Sequence, residues 1–386
     1  MEMWYMTEER ELMRNVAREF VEQEVKPVAL ELDKNDEFPL QLLKRAGELG
    51  FLGITFPEEY GGLGGDWTTL ALVTEEISKV APTLSVVMGA HAVLAGGILN
   101  VLASPEQKKK YLAPAARGEL ILAMAGTEAA GGANYGEYTT RAVLDGDEWV
   151  INGTKLFITN IHYADIYIVV AVTSSPDAPK ASHSLFLVPK ETPGLELGKP
   201  ENKLGWNGSS TGTVYLRNVR VPKENMLGPE GKTMLPFFFS ATDEFMICGP
   251  MALGMAEACY EKAFQFAQER MQSGKSMYDK YEVIRHKLVN MWIEIEALRG
   301  MIYTAIAKKD SGQMILAEGR ALKIKGYRVA EYVANEAIQI HGGLGTIIDT
   351  GIERFWRDAK VLAIGGGSIE ALTEDIAGIL KREARK

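Results

Sequence analysis

Apolar residues recur at helical spacing from the start of the chain. Leu12, Val16, Phe20 and Val25 share one face of a predicted helix from Glu8 to Leu32. Phe38-Pro-Leu opens a second helix that ends near Gly50, and two more are predicted from Trp67 to Val80 and from Leu84 to Leu102. The intervening Phe56-Pro-Glu-Glu-Tyr-Gly-Gly-Leu-Gly-Gly65 reads as a loop, punctuated by glycine and proline. Near residue 120 the period changes. Thr140–Leu144 and Trp149–Ile151 flank an Asp145-Gly146 turn, the mark of a hairpin. Asn152-Gly153 predicts a further turn before Lys155–Asn160. Strands follow at Ile166–Val172, Ser184–Val188 and Gly212–Leu216, with Val219–Pro222 closing the series. From about Thr233 helical spacing returns in three long segments, Thr242–Gln272, Tyr281–Lys309 and Met314–Ile340.

This order predicts an α+β chain of three domains: an N-terminal α-helical domain over 1–120, an antiparallel β domain over 121–232 and a C-terminal helical bundle over 233–386. A length of 386 residues suits two or three domains. A net charge of -9 without a dense basic patch argues against a nucleic-acid partner. Cys248 and Cys259 lie on one predicted helix, where eleven positions rise about 16 Å, beyond disulfide reach. They read as core thiols of a reducing compartment. The N-terminus lacks a signal-peptide pattern and no apolar run is read as membrane-spanning, so a cytoplasmic location without membrane partners is expected.

Chemistry is sparse by elimination. The five histidines are scattered without metal-ligand spacing, so no metal is expected, and there is no GxSxG elbow. The glycine-rich stretches Glu128–Asn134, His341–Gly345 and Gly365–Gly367 lack the GxGxxG pattern of a nicotinamide site. Each is able to bring backbone amides to an anionic cofactor.

Several ordered motifs, spread over essentially the whole chain, go further. Pro57-Glu-Glu-Tyr-Gly-Gly-Leu-Gly64, Met124-Ala-Gly-Thr-Glu128, Asp147-Glu-Trp-Val-Ile-Asn-Gly-Thr-Lys-Leu-Phe-Ile-Thr-Asn160, Gln339-Ile-His-Gly-Gly-Leu-Gly345 and Arg357-Asp-Ala-Lys360 together resemble the acyl-CoA dehydrogenase family of flavoproteins. The resemblance implies a C-terminal four-helix bundle, non-covalent FAD and a homotetramer built as a dimer of dimers. It also implies an acyl-CoA substrate and an electron-transferring flavoprotein as acceptor. The reaction takes a proton from Cα and a hydride from Cβ, the hydride passing to flavin N5. By the same resemblance Thr127 contacts the flavin pyrimidine edge, Phe157 flanks the ring and Thr159 lies near N5. Arg270, Gln272, Gln339 and Gly343 reach FAD across a subunit boundary, and Ser368 lies near its pyrophosphate.

Most of the family carries its base in Tyr-Glu-Gly-Thr shortly after Arg-Asp-Ala-Lys. Counting from Arg357 puts Gly365 and Gly366 at the Tyr-Glu positions, and glycine transfers no proton. An isovaleryl-CoA dehydrogenase-like branch places the base on a bundle helix, which here falls on Glu244 within Ala241-Thr-Asp-Glu-Phe-Met-Ile-Cys248. Glu244 is the expected base, with His91 in reserve. The bare Gly365 and Gly366, with His91 and Phe245, are read as pocket residues. A wider pocket predicts a branched, cyclic or aryl-bearing acyl group. Three departures from the family pattern are Phe245 for Arg, Ala133-Asn134 for Ser-Asp, and Tyr281-Glu282 for Gln. The alternatives are a non-oxidising lyase-type enzyme that keeps FAD as structure, and a CoA-ester binder without turnover.

Overall fold

The computed structural model describes residues 3–132, 135–175, 177–178 and 180–385. The first helix, α1 (Glu8–Phe20), is capped by the Thr7 side chain and opens on Glu8, Glu9 and Glu11, acids that suit the positive end of the helix dipole. It loosens into a wide turn at Val21–Val25. The chain then restarts as α2 (Ala29–Lys34), so the single helix expected from Glu8 to Leu32 is broken near Pro27, which lacks a backbone N–H. Helices α3 (Leu40–Glu48) and α4 (Trp67–Ser78) follow. Next come α5 (Pro82–Met88), a wide-turn segment Gly89–Gly96 and α6 (Gly97–Leu102), then the short α7 (Pro105–Gln107) and α8 (Ala113–Ala116).

Pro82–Leu102 forms one continuous helical stretch with a mean hydropathy of 1.7. Contrary to the sequence expectation, it is long and apolar enough by composition to cross a membrane. Of its most apolar 18-residue window, 67% is buried inside the protein. Asn160 donates to Val87 O and Ser240 to Leu94 O, so its backbone is engaged by the sheet region and the bundle.

The middle of the chain forms an eight-stranded sheet in the order β6-β7-β3-β2-β4-β5-β8, with β1 beside β4. The strands are β1 (Leu122–Ala125), β2 (Arg141–Asp145), β3 (Glu148–Thr159), β4 (Ile166–Val172), β5 (His183–Pro189), β6 (Leu195–Leu197), β7 (Thr211–Pro222) and β8 (Met226–Leu227). It is antiparallel apart from β1 and one pair of β2, which run parallel to β4. Every residue of β4 is buried, as its unbroken apolar run requires.

Asn152-Gly153 is not a turn. β3 runs straight through it, with a register shift between Ile151 and Gly153. Gly153 has φ 157°, and a Cβ there would stand 2.2 Å from Thr140 Oγ1. A bulge needs the same residue type as a turn, which explains the misreading. Val219–Pro222 likewise belongs to β7 rather than to a separate strand.

The bundle holds α9 (Met234–Glu269), a small hairpin of β9 (Met271–Gln272) and β10 (Lys275–Ser276), and α10 (Met277–Lys280). It continues with α11 (Glu282–Asp310), α12 (Leu316–His341), α13 (Glu353–Leu362) and α14 (Ile369–Glu383). Helix α9 starts eight residues before the expected Thr242 and is 36 residues long. Asp310, at the end of α11, accepts from Trp67 N and Thr68 N and so helps cap α4, tying the N-terminal helices to the bundle. Cys248 and Cys259 are both free and buried.

Candidate active site

Three consecutive residues of α9 point to three neighbours, because each step turns the helix by about 100°. Asp243 pairs with Lys309 of α11 at 2.6 Å. Glu244 faces the glycine run before α14. Phe245 packs with Ala241, Ile324 and Leu372.

Glu244 has neither a hydrogen bond nor an ion pair among the described residues. A Cβ at Gly366 would stand 3.1 Å from its Oε1 and 3.5 Å from Lys323 Nζ. The carboxyl group therefore meets the very position where a residue-366 side chain would start. Burial pushes the Glu244 carboxyl up to about 7, against the opposing charge of Lys323. Cys248, one turn on, is buried and pushed up to about 12.

The space at Gly365 is filled as well. A Cβ there would lie 2.6 Å from Cζ3 of Trp206. The glycines therefore do not open the wide cavity read from the sequence: Trp206 and Glu244 take up the room. Trp206 is held by Asp358, whose buried carboxyl accepts from its backbone N at 2.6 Å. Burial drives Asp358 up to about 7 even with that bond. Here the Arg357–Lys360 motif gains a physical role, since Arg357 also binds Asp33 at 2.7 Å. Gly366 (φ 72°) and Gly367 (φ 125°) occupy backbone conformations that favour glycine.

One pocket expectation is corrected. His91 is 1% exposed. Its Nδ1 accepts from Leu122 N and its Nε2 therefore donates to Ala115 O, both at 3.0 Å. Burial lowers it to about 4, so it is neutral and has no free nitrogen for proton transfer. Phe245 borders the glycine run, with a Cβ at Gly367 standing 3.5 Å from its Cε1, and its ring sits between α9, α12 and α14 with the Arg320 and Lys323 cations each 5.4 Å from its centre.

The cofactor candidates fall into two groups. Around β3, Leu156 N donates to Thr127 O at 2.8 Å, which sets Thr127 beside Phe157. Phe157 has φ 57° at a bulge and is 65% exposed, an aromatic ring displayed against its propensity to bury. Thr159 pairs with Thr211, close to the Trp206 loop. Beneath them Lys155 donates to Gly126 O and pairs with Glu128 at 2.7 Å, a buried clasp that joins two of the sequence motifs. Ser368 caps α14 by accepting from Ala371 N.

The second group lies at the far end of the bundle. Phe266 stacks on His341 at 4.5 Å, which brings the end of α9 beside the end of α12. Arg270 and Gln339 are exposed there, and Gly343 has open space around it. Gln272 accepts from the Tyr281 hydroxyl at 2.6 Å, so one departure from the family pattern orders another candidate. Ala133 and Asn134 lie outside the described residues.

The helices, sheet and bundle, with a displayed aromatic ring, uncommitted donors and a lone part-buried acid, fit a flavin and a proton transfer. Family models for the acyl-CoA dehydrogenase N-terminal, middle and C-terminal domains match residues 7–119, 123–219 and 244–380. The chain belongs to the acyl-CoA dehydrogenase family. It is accordingly an oxidoreductase acting on a CH–CH bond, with FAD as cofactor.

A short-chain specific acyl-CoA dehydrogenase of Clostridium acetobutylicum is 39% identical over 98% of this chain and 99% of its own. A 3-(aryl)acrylate reductase of Clostridium sporogenes is 36% identical, over 97% and 99%. The solved butyryl-CoA dehydrogenase of Megasphaera elsdenii superposes with a TM-score of 0.94 at 32% identity, covering 98% and 99%. These relatives give no support to the isovaleryl-CoA dehydrogenase-like branch expected from the site pattern. That expectation rested on one acid and a glycine run, whereas identity along the chain weighs every scaffold residue. Nothing in them favours the lyase-type alternative.

Proposed function

We propose that this acyl-CoA dehydrogenase uses Glu244 as the base that takes the α proton of its thioester substrate. The observation that carries this reading is the 3.1 Å approach of Glu244 Oε1 to the Cβ position of Gly366. A carboxyl raised to about 7 is divided between its two forms at neutral pH, the condition under which a base combines availability with strength. Bound FAD supplies the hydride acceptor. Phe157, Thr127 and Thr159 are proposed to hold the flavin end, and Ser368 a diphosphate oxygen.

Arg270, Gln272, Gln339 and Gly343 are proposed to serve a neighbouring subunit's FAD. Glu244 and Arg270 are separated by a helix rise of about 39 Å, too far for one extended cofactor to meet both sets in one chain. This supports the homotetramer, and an electron-transferring flavoprotein is the proposed acceptor. The two free buried thiols accord with a cytoplasmic location.

The proposed acyl group is branched, cyclic or aryl-bearing. Its support comes from aromatic residues rather than from the glycines. Tyr135 packs edge-on against Phe237 and Phe238 at 5.6 and 5.2 Å, and its hydroxyl is pushed up to about 12 by burial and then by the charge of Glu244. The aryl relative points the same way. Anaerobic titration of the flavin absorbance with a panel of acyl-CoA esters tests both claims. Wild type should bleach and Glu244→Gln should not. A best kcat/KM on unbranched butyryl-CoA would remove the bulky-substrate reading.

A further inference from the structure

Lys323 lies on α12, 1% exposed, and nothing in the sequence pattern marks it. A buried lysine calls for a partner, and the one it takes is unusual. Its Nζ donates to the backbone carbonyl of Gly365 rather than to a carboxylate. The same Nζ lies 3.5 Å from the Cβ position of Gly366, the point that Glu244 Oε1 approaches to 3.1 Å. The lysine thus faces the acid across the glycine run without closing an ion pair.

We infer that Lys323 is the positioning residue of the base: it pins the glycine run at Gly365 and supplies the positive charge that lets the part-buried Glu244 ionise. This inference rests on Glu244 being the base. A direct ion pair would spend the carboxylate on the lysine, whereas a cation held back on a carbonyl stabilises the charge and leaves the oxygens free. The other groups around the acid do not substitute for it. Tyr135 approaches from the segment before β2 and Cys248 from α9 itself, and both enter neutral at ordinary pH. Arg320 of α12 is committed to Asp375 of α14 at 3.0 Å and to Thr242. Phe245 presents only its ring to the two cations.

Two variants separate the parts of the role. Lys323→Met removes charge and donor, and Lys323→Gln keeps a donor for Gly365 O without the charge. Flavin content and Tm establish that each variant is folded, and the glutamine form carries the test if the methionine form does not fold. The pH profile of anaerobic flavin reduction is read beside a carboxyl titration by infrared difference against Glu244→Gln. Both variants should move the acid limb up by roughly one to two pH units, lowering the rate at neutral pH by about 5- to 50-fold. The infrared titration should move with it. An unmoved limb and titration in folded Lys323→Gln overturns the inference while leaving the base in place. Bleaching of Glu244→Gln at the wild-type rate overturns the base, and this inference with it.

Discussion

Glu128 and Glu244 are each an acid placed beside a buried lysine, and the uses proposed for them are opposite. Glu128 sits at the head of the sheet and spends its oxygens fully. It accepts from Lys155 Nζ at 2.7 Å, Thr139 N at 2.6 Å, Thr139 Oγ1 at 2.8 Å and Thr140 N at 3.1 Å. Burial alone would raise it, but Lys155 and those donors hold it down to about 2. Lys155 is pulled by burial to about 8 against the charge of Glu128, so both members stay charged at neutral pH. Glu244 has burial without the donors, and its carboxyl rises to about 7. What differs is satisfaction. A carboxylate with its oxygens engaged is a fastener, and one left open and part-buried is the proposed proton acceptor.

The comparison makes graded predictions. The largest concerns Glu244→Gln, which should lower anaerobic flavin reduction by roughly 10²–10⁴-fold. The variant should fold and keep its flavin, since no hydrogen bond is lost. A variant that bleaches normally would end the contrast. Next comes Lys155→Met, which strands Glu128 as an unpaired buried charge and should cost about 3–5 kcal/mol in denaturant unfolding. Flavin should be lost with it, because the clasp underlies Thr127 and Phe157. If stability held, Glu128 would not be the fastener described.

The third prediction uses pH. The Glu244 pKa is raised in the fold from 4.5 to about 7, so its stabilising share is full below about 4.5 and is lost as pH rises through about 7. Wild-type Tm should therefore fall relative to Glu244→Gln between about pH 5 and about pH 8. The rate of flavin reduction should rise over the same interval, as the base ionises. Glu128 is depressed, so its contribution is present above 4.5 and fades only as pH falls toward about 2. The smallest effect is that of Gly366→Ala. A left-handed residue with a methyl 3.1 Å from Oε1 should cost about 1 kcal/mol and slow flavin reduction several-fold. An equal loss of stability with an unchanged rate would separate the glycine from the base.

The helices and most strands were legible because their apolar spacing repeats over many residues, as in α11 and α12. Short-range chemistry misled where two structures use the same residue: Asn152-Gly153 serves a bulge and Pro27 breaks a helix that periodicity carried on. The position of Glu244 could be reached by counting along motifs, but its surroundings could not. Trp206 against Gly365, Lys323 behind Gly366 and Lys155 under Thr127 join segments far apart in the chain, and no local pattern reports them. His91 failed as a candidate for a similar reason. Its partners, Ala115 O and Leu122 N, are backbone atoms, which any residue type at those positions would provide.

The contact of Trp206 with Gly365 has a consequence for ancestry. Any side chain introduced at 365 would meet an indole ring 2.6 Å away, and that ring is tied through its backbone N to Asp358. A lineage carrying this tryptophan cannot place a larger side chain at 365 by changing the glycine run alone. It must first shrink residue 206 and pass through an intermediate that has lost this packing. The order of those steps is imposed by shape, so the bareness of position 365 is kept by a ring from the sheet region.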